Sequence, residues 1–346
     1  MSALDSIHDV DPNQWNNLVE QSDLGSVFQR HEWLALTEDT VAEYEPLHVV
    51  VSKGENPVAV LPNVVRPVHV PGDPALVDRL PAREAVSLQP GFGGPIVGAR
   101  ECECLPLLFD ELESTTGPGV LYHTIRGSDT AYGRYAKWLA KRGYEPTNVN
   151  CRFRLHLDRG WEALRENMHS SRRRAIDAVE DVSVRERTCD ASTARDTYPD
   201  YAANVERVGG EPYPFEFYEA LVTEFSERVL VVTASHDGED VGSYLYLLDD
   251  EQDTVHYWFA AVPDETCYEH NVSEALHRYG IEWGIDEGYR YYDFGATGAH
   301  FDDGVFRYKA RYGGELVLTP QWQRGHSRAG WMAFKTGRRL YRLATY

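Results

Sequence analysis

Apolar residues recur along this chain with two periods, and the places where the period changes mark out its elements. In the first half, apolar and β-branched runs at 47–51 and 58–62 flank Ser52-Lys53-Gly54-Glu55-Asn56-Pro57 and read as a hairpin. A Pro- and Asp-rich loop over 67–81 follows, then the glycine turn Gln89-Pro90-Gly91-Phe92-Gly93-Gly94-Pro95 ahead of Ile96-Val97. Beyond the turn the pattern predicts a helix over 101–113, a strand over 120–125 and a helix over 130–142. Together these make an α/β unit ending near residue 155.

In the second half, Trp161, Leu164, Met168, Ala175, Ile176 and Val179 have helical spacing, interrupted at Ser170-Ser171. Phe215, Tyr218, Leu221, Val222 and Phe225 give one apolar face to a helix over 214–228. The period then shortens to that of strands. Segments 229–235, 241–248 and 254–261 are β-rich and are separated by short acidic turns, which predicts an antiparallel meander. Asn271-Val272-Ser273-Glu274 opens a helix carrying Val272, Leu276, Tyr279, Ile281, Trp283 and Ile285, and Asn followed three residues later by Glu predicts a capping box. Strands at 291–294 and 316–318 complete the series, and no internal repeat is visible.

Composition narrows the classes. The 346 residues are 42% hydrophobic and 12% aromatic, too apolar for disorder and long enough for two globular domains. Against 34 Lys and Arg stand 55 Asp and Glu, a net charge of −21, and only five of the basic residues are lysines (Lys53, Lys137, Lys141, Lys309, Lys335). Such an acid-rich, lysine-poor surface suits molar salt, where the Debye length is about 3 Å and carboxylates keep the surface hydrated, and it predicts a halophilic, haloarchaeal host. It argues against DNA binding and against general nucleic-acid binding, which need a basic face and weaken with salt. The N-terminus has no basic and apolar leader, and no stretch approaches a membrane span, so the expected location is cytoplasmic. Cys102, Cys104, Cys151, Cys189 and Cys267 are odd in number and scattered, which fits reduced thiols and predicts no metal site.

The order helix, three antiparallel strands, capped helix, strand resembles the acyl-CoA-binding core of the GNAT acyltransferase superfamily. Within it, Arg172-Arg173-Arg174-Ala175-Ile176, the segments 238–245 and 271–276, Gly288-Tyr289-Arg290-Tyr291-Tyr292-Asp293-Phe294-Gly295 and Phe306-Arg307-Tyr308-Lys309-Ala310-Arg311-Tyr312-Gly313 resemble the blocks of the FemAB-like branch, which includes BioF-type acetyltransferase-like domains. Val27-Phe28-Gln29-Arg30-His31-Glu32-Trp33 and Gly93-Gly94-Pro95 resemble its N-terminal landmarks. The resemblance implies an α/β (α+β) fold of two GNAT-like domains, each a mixed, mainly antiparallel sheet flanked by helices. The expected boundaries are 1–155 and 156–320, with 321–346 as a basic, aromatic segment docked as a helix.

The implied activity is transfer of an acyl group to an amine acceptor, with acyl-CoA as co-substrate and no permanently bound cofactor. A FemAB-like aminoacyltransferase fed by aminoacyl-tRNA, disfavoured by the acidic body, and a non-catalytic module for an anionic glycan or lipid-linked precursor are the alternatives. Aminolysis needs a polarised carbonyl and a stabilised oxyanion. Lys309, in the family's aromatic-Lys-x-x-aromatic-Gly block, is the expected electrostatic stabiliser, with Asp293 and Tyr257 orienting acceptor or leaving group. Alternation places His256 and Trp258 on one face of their strand and Tyr257 and Phe259 on the other. The helix start at Asn271, Val272 and Ser273 is the expected receiver of the donor's anionic group, although the usual Gln/Arg-x-x-Gly-x-Gly/Ala loop is replaced by Tyr268-Glu269-His270-Asn271. Arg172 and Arg173 are candidate anion clamps or a solvated face beside Asp177, Glu180 and Asp181. His256 and Gly94 complete the substrate-binding set. After Glu315 there is no acid and there are six basic residues, so the preceding chain carries −27, and the tail is a candidate for peripheral contact with anionic lipid.

Overall fold

The β-branched runs of the first half pair where their turn residues allow. The computed structural model describes residues 1–68, 82–147, 150–264 and 270–345, so most of the 67–81 loop, Cys267 and Tyr268-Glu269 lie outside the described residues. Strands β1 (Ser2–Leu4), β2 (Glu45–Pro46), β3 (His48–Lys53), β4 (Asn56–Leu61), β5 (Val64–Pro67), β6 (Arg83–Val86), β7 (Ile96–Val97), β8 (Val120–Arg126) and β9 (Glu145–Thr147) come first, with helices α1 (Pro12–Glu20), α2 (His31–Thr40), α3 (Glu101–Thr115) and α4 (Ala136–Lys141). The hairpin is β3–β4. The helix expected over 130–142 starts as a 3-10 turn, Thr130–Tyr135, because the Asp129 carboxylate accepts the Ala131 N–H at 2.7 Å and tightens the entry.

The second series is β10 (Asn150–His156), α5 (Trp161–Asn167), α6 (Ser170–Asp177), β11 (Val182–Arg187), α7 (Ala191–Arg207), α8 (Phe215–Thr223), β12 (Val229–His236), β13 (Glu239–Asp249), β14 (Thr254–Ala261), α9 (Val272–Asp286), β15 (Tyr291–Gly298), α10 (Gly304–Ala310) and β16 (Glu315–Leu318). The chain closes with β17 (Gln321–Gly325) and α11 (Arg328–Thr345). No helix among the described residues is long and apolar enough to cross a membrane.

Two units result, residues 149–318 and residues 1–148 with 319–346. In the discontinuous unit a four-stranded sheet has the order β1-β3-β4-β7, and a six-stranded sheet the order β2-β5-β6-β8-β17-β9. The segment expected to begin a separate tail at 321 thus opens as a strand of that sheet. Its helix α11 lays Trp331 and Phe334 on Tyr122, with ring centroids at 5.1 and 5.2 Å, and Lys335 reaches Glu145 at 2.8 Å.

The continuous unit is one seven-stranded sheet, β11-β12-β13-β14-β15-β10-β16. The predicted meander is β12-β13-β14, antiparallel throughout. Strand β10 corrects the boundary expected at 155. It pairs with β15 on one side and β16 on the other, and its alternate Cys151, Phe153 and Leu155 enter the core of the 149–318 unit. One face carries α9, with Val272, Leu276 and Ile281 packed on Tyr244, Tyr246 and Tyr292. The other carries α7 and α8, whose Tyr201 and Tyr218 cover Phe259.

Gly280 is where α9 comes closest to the sheet. A Cβ there would lie 2.6 Å from the Tyr246 ring, which is fully buried and donates its hydroxyl to Leu276 O at 2.7 Å. Gly280→Ala should therefore lower unfolding stability by about 1–3 kcal/mol. Gly337→Ala on the open side of α11, where a methyl group meets nothing within 4 Å, should raise it by about 0.4–1 kcal/mol. Denaturant titration of the two variants checks both signs.

Candidate active site

Strands β14 and β15 are parallel and pair over three positions only, Thr254↔Tyr291, Val255↔Tyr292 and His256↔Asp293. Each is bulged just beyond. Against β13, Leu245 faces Phe259 and Tyr246 faces Tyr257, so Trp258 is the extra residue of a bulge. Against β10 the register steps between Arg152↔Ala296 and Arg154↔Asp293, which places the extra residue of β15 at Phe294-Gly295. The Asp293 carboxylate accepts the Gly295 N–H at 2.7 Å, closing a turn in which Gly295 has φ +74, a value that favours glycine.

Lys309 is brought over this bend by α10. Asp303 caps the helix by accepting the Phe306 N–H at 2.8 Å, and Lys309 projects from the last turn. Its Nζ donates to Gly295 O at 3.1 Å and to Ala296 O at 2.9 Å, with 7% of the residue exposed. Burial drops the ammonium to about 8 from its ordinary value of 10.5, against the pull of Asp293, Cys151 and Asp303. Two of its three N–H groups are used by the strand, which leaves one donor for an incoming oxygen.

Asp293 is buried and committed. Its Oδ2 takes Arg152 Nη1 at 2.7 Å and lies 3.9 Å from His256 Nδ1, while His256 Nε2 donates to Asp249 Oδ2 at 3.3 Å. On the α9 face, Tyr257 packs its ring 4.6 Å from Tyr244 and 4.8 Å from His277. Burial, with Arg172 and Lys309 adding positive charge, holds the His277 imidazole well below its ordinary pKa. His277 Nδ1 lies 2.7 Å from Tyr292 Oη.

The bulge corrects the expected alternation. Tyr257 faces α9 and Phe259 faces α7 and α8, because the extra residue Trp258 shifts the pleat between them. His256 lies between two aspartates, so its polar atoms are engaged inside the protein. Arg172 is buried and is not part of a solvated face. It forms an ion pair with Glu274, and its guanidinium lies 4.2 and 4.7 Å from the ring centroids of Tyr308 and Tyr312, so it braces α10 against α9. Asp177 is taken by Arg165 at 2.6 Å, and Arg173 donates to Glu166 O at 2.7 Å.

The capping box does not form. Asn271 is left-handed at φ 54, its side chain reaches Ala178 O at 3.5 Å, and Glu274 is held by Arg172. Val272 and Ser273 begin α9 with buried side chains. Gly94 belongs to the discontinuous unit. Its N–H donates to Tyr132 Oη at 3.0 Å, its carbonyl accepts Gln29 Nε2 at 3.0 Å, and a Cβ would meet the Tyr132 ring at 2.8 Å. Its backbone groups are therefore engaged by its own unit. Arg152, Asp249 and His277 are site residues that sequence reasoning missed. Only His277 left a trace, standing four residues from both Ser273 and Ile281 on the buried stripe of α9.

Residues 163–310 match the acetyltransferase (GNAT) domain family. No curated protein sequence matches the chain significantly. Among solved structures the chain is similar to FemX (11% identity, 93% of this chain and 97% of that one, TM-score 0.68). It is similar also to a tandem GNAT protein from the clavulanic acid biosynthesis pathway (13% identity, 94% and 98%, TM-score 0.56). A third is L-PGS from Bacillus licheniformis (11% identity, 90% and 91%, TM-score 0.52). Residues 163–310 therefore form a GNAT-like domain, and the chain has a FemAB-like fold of two GNAT-like domains.

Both buried charges give testable consequences. Lys309 binds its proton less tightly folded than unfolded, so its burial penalty is fully present below about pH 8 and is relieved as pH rises through 10.5. Relative to Lys309→Met, the wild type should gain up to about 3 kcal/mol of unfolding stability across that window. Arg172→Met, which strands Glu274, should cost about 3–5 kcal/mol, and the Arg172→Met/Glu274→Leu double variant should recover most of it.

Proposed function

We propose that this chain is an N-acyltransferase that moves an acyl group from a CoA thioester to an amine. The observation carrying this reading is the Lys309 ammonium, nine-tenths buried and seated on Gly295 O and Ala296 O where β15 leaves β14. A buried cation with one uncommitted N–H suits a site where negative charge develops, and low surrounding polarity strengthens its effect.

In the reaction the neutral amine nitrogen attacks the acyl carbonyl carbon and forms the C–N bond. The carbonyl oxygen becomes an oxyanion that takes the remaining Lys309 N–H. The tetrahedral centre then collapses, the C–S bond breaks, and the departing thiolate and the nitrogen's proton leave as thiol. Tyr257, half-buried on the α9 face, is the proposed partner of the leaving group. The first turn of α9, from Asn271 to Ser273, is the proposed receiver of the donor's phosphates through its backbone N–H groups. The acceptor is a small-molecule or precursor amine, and the proposed setting is a cytoplasm of high salt.

The test is run in molar KCl. Acetyl-CoA and longer acyl-CoAs should raise the melting temperature, and thiol release should follow addition of an accepted amine. Lys309→Met should still bind donor yet lose roughly 10²–10³ in kcat. The wild-type rate at saturating amine should fall above about pH 8 as Lys309 loses its proton, and that limb should be missing from the residual rate of Lys309→Met. Stabilisation by aminoacyl-tRNA alone would move the donor assignment to that substrate, and wild-type turnover by Lys309→Met would sink the proposed role.

A further inference from the structure

Four ionisable side chains form a row across the 149–318 sheet where β14 and β15 part. Asp249, His256, Asp293 and Arg152 come one each from β13, β14, β15 and β10, which are neighbours in that order. None is more than 5% exposed. Burying four such groups is costly, and a row of apolar residues would serve packing as well or better. The row also reaches the proposed oxyanion site. Asp293 Oδ1 leaves it to accept the Gly295 N–H, and Gly295 O with Ala296 O holds Lys309 Nζ.

We propose that His256 is a positioning residue for Lys309. Its imidazole is set between two carboxylates, with Nε2 on Asp249 at 3.3 Å and Nδ1 3.9 Å from Asp293. Arg152 pins the same Asp293 oxygen from the other side at 2.7 Å. Arg152 anchors Asp293 from one flank and the His256 ring, 3.9 Å from the same oxygen, limits its room on the other, so that the carboxylate stays on the Gly295 N–H and both carbonyls stay directed at the ammonium. The groups around that ammonium come from four elements: Asp293 on β15, Cys151 on β10, Asp303 at the start of α10 and His277 on α9. Among them only Asp293 is in the reach of His256. This role rests on the N-acyltransferase reading for its meaning but not for its measurement.

The experiment observes Lys309 directly. Of the five lysines, only Lys309 is buried, so in protein labelled with [15N]lysine its NζH3 group should give the slowly exchanging resonance, assigned by its loss in Lys309→Met. His256→Gln should shift that resonance and speed its exchange with water by on the order of tenfold. It should also lower kcat by roughly ten- to a hundredfold while leaving the donor KM near wild type. Asp249→Asn should move both readouts the same way, less strongly, and carries the test should His256→Gln not fold. Gly280→Ala, destabilised elsewhere in the unit, should leave the resonance in place, which separates positioning from general loosening. An unchanged Lys309 resonance in folded His256→Gln or Asp249→Asn overturns the proposal, as does a wild-type resonance exchanging as fast as those of exposed lysines. A changed resonance beside full turnover in Lys309→Met keeps the positioning role and removes Lys309 from the acyltransfer step, whereas a changed resonance with no thiol release by the wild type from any acyl-CoA keeps the positioning role and removes the acyltransfer reading instead.

Discussion

A sheet that stops pairing in its own middle must find new partners for the backbone it uncovers, and this obligation shapes the 149–318 unit. Strands β14 and β15 part after His256 and Asp293, and two β15 carbonyls just past the split are taken by Lys309. The bulge at Trp258, the positive φ of Gly295 and the placement of α10 all follow from opening the sheet there. A lysine is suited to the task because it donates three times, so it can satisfy the strand and still offer a donor outward.

The cost of that arrangement is visible in its supports. Arg172 braces α10 through Tyr308 and Tyr312 on one side of the split, and the Arg152–Asp293 pair ties the bend to β10 on the other. Each buried charge has a partner of opposite sign or a set of backbone acceptors, as the low polarity of the interior demands. Regular elements on both faces of a wide sheet hold these groups, and rigid frames of this kind keep a site within the narrow tolerances that chemistry needs.

The periodic parts of this fold were legible in the residues. The meander and the stripe of α9 are long, strongly apolar and bounded by acidic turns, so period and punctuation agree. The bulge at Trp258 was not legible, since a run such as Thr254-Val255-His256-Tyr257-Trp258-Phe259 reads the same with or without an extra residue. Strand β17 was hidden because Gln321 to Gly325 is short and largely polar, and β10 because its partners β15 and β16 lie far along the chain. Lys309 and Asp293 stood out through a family-like block. Arg172 stood out as well, but its Glu274 partner is about a hundred positions away and was masked by a plausible cap. Charges that meet only through tertiary packing leave no local pattern to read.

The discontinuity of the first unit bears on how the chain is made. Among the described residues β9 is joined to the rest of its six-stranded sheet solely through β17, which is inserted between β8 and β9. During synthesis β8 and β9 therefore emerge early and wait with unsatisfied edges while some 170 residues of the other unit follow. The 149–318 unit is continuous and holds all its own strands, so it can complete its sheet first. The N-terminal segment is finished last, when residues 321–325 thread the remaining slot, and a ribosome paused shortly before that point would hold a nascent chain with one mature body and one open edge.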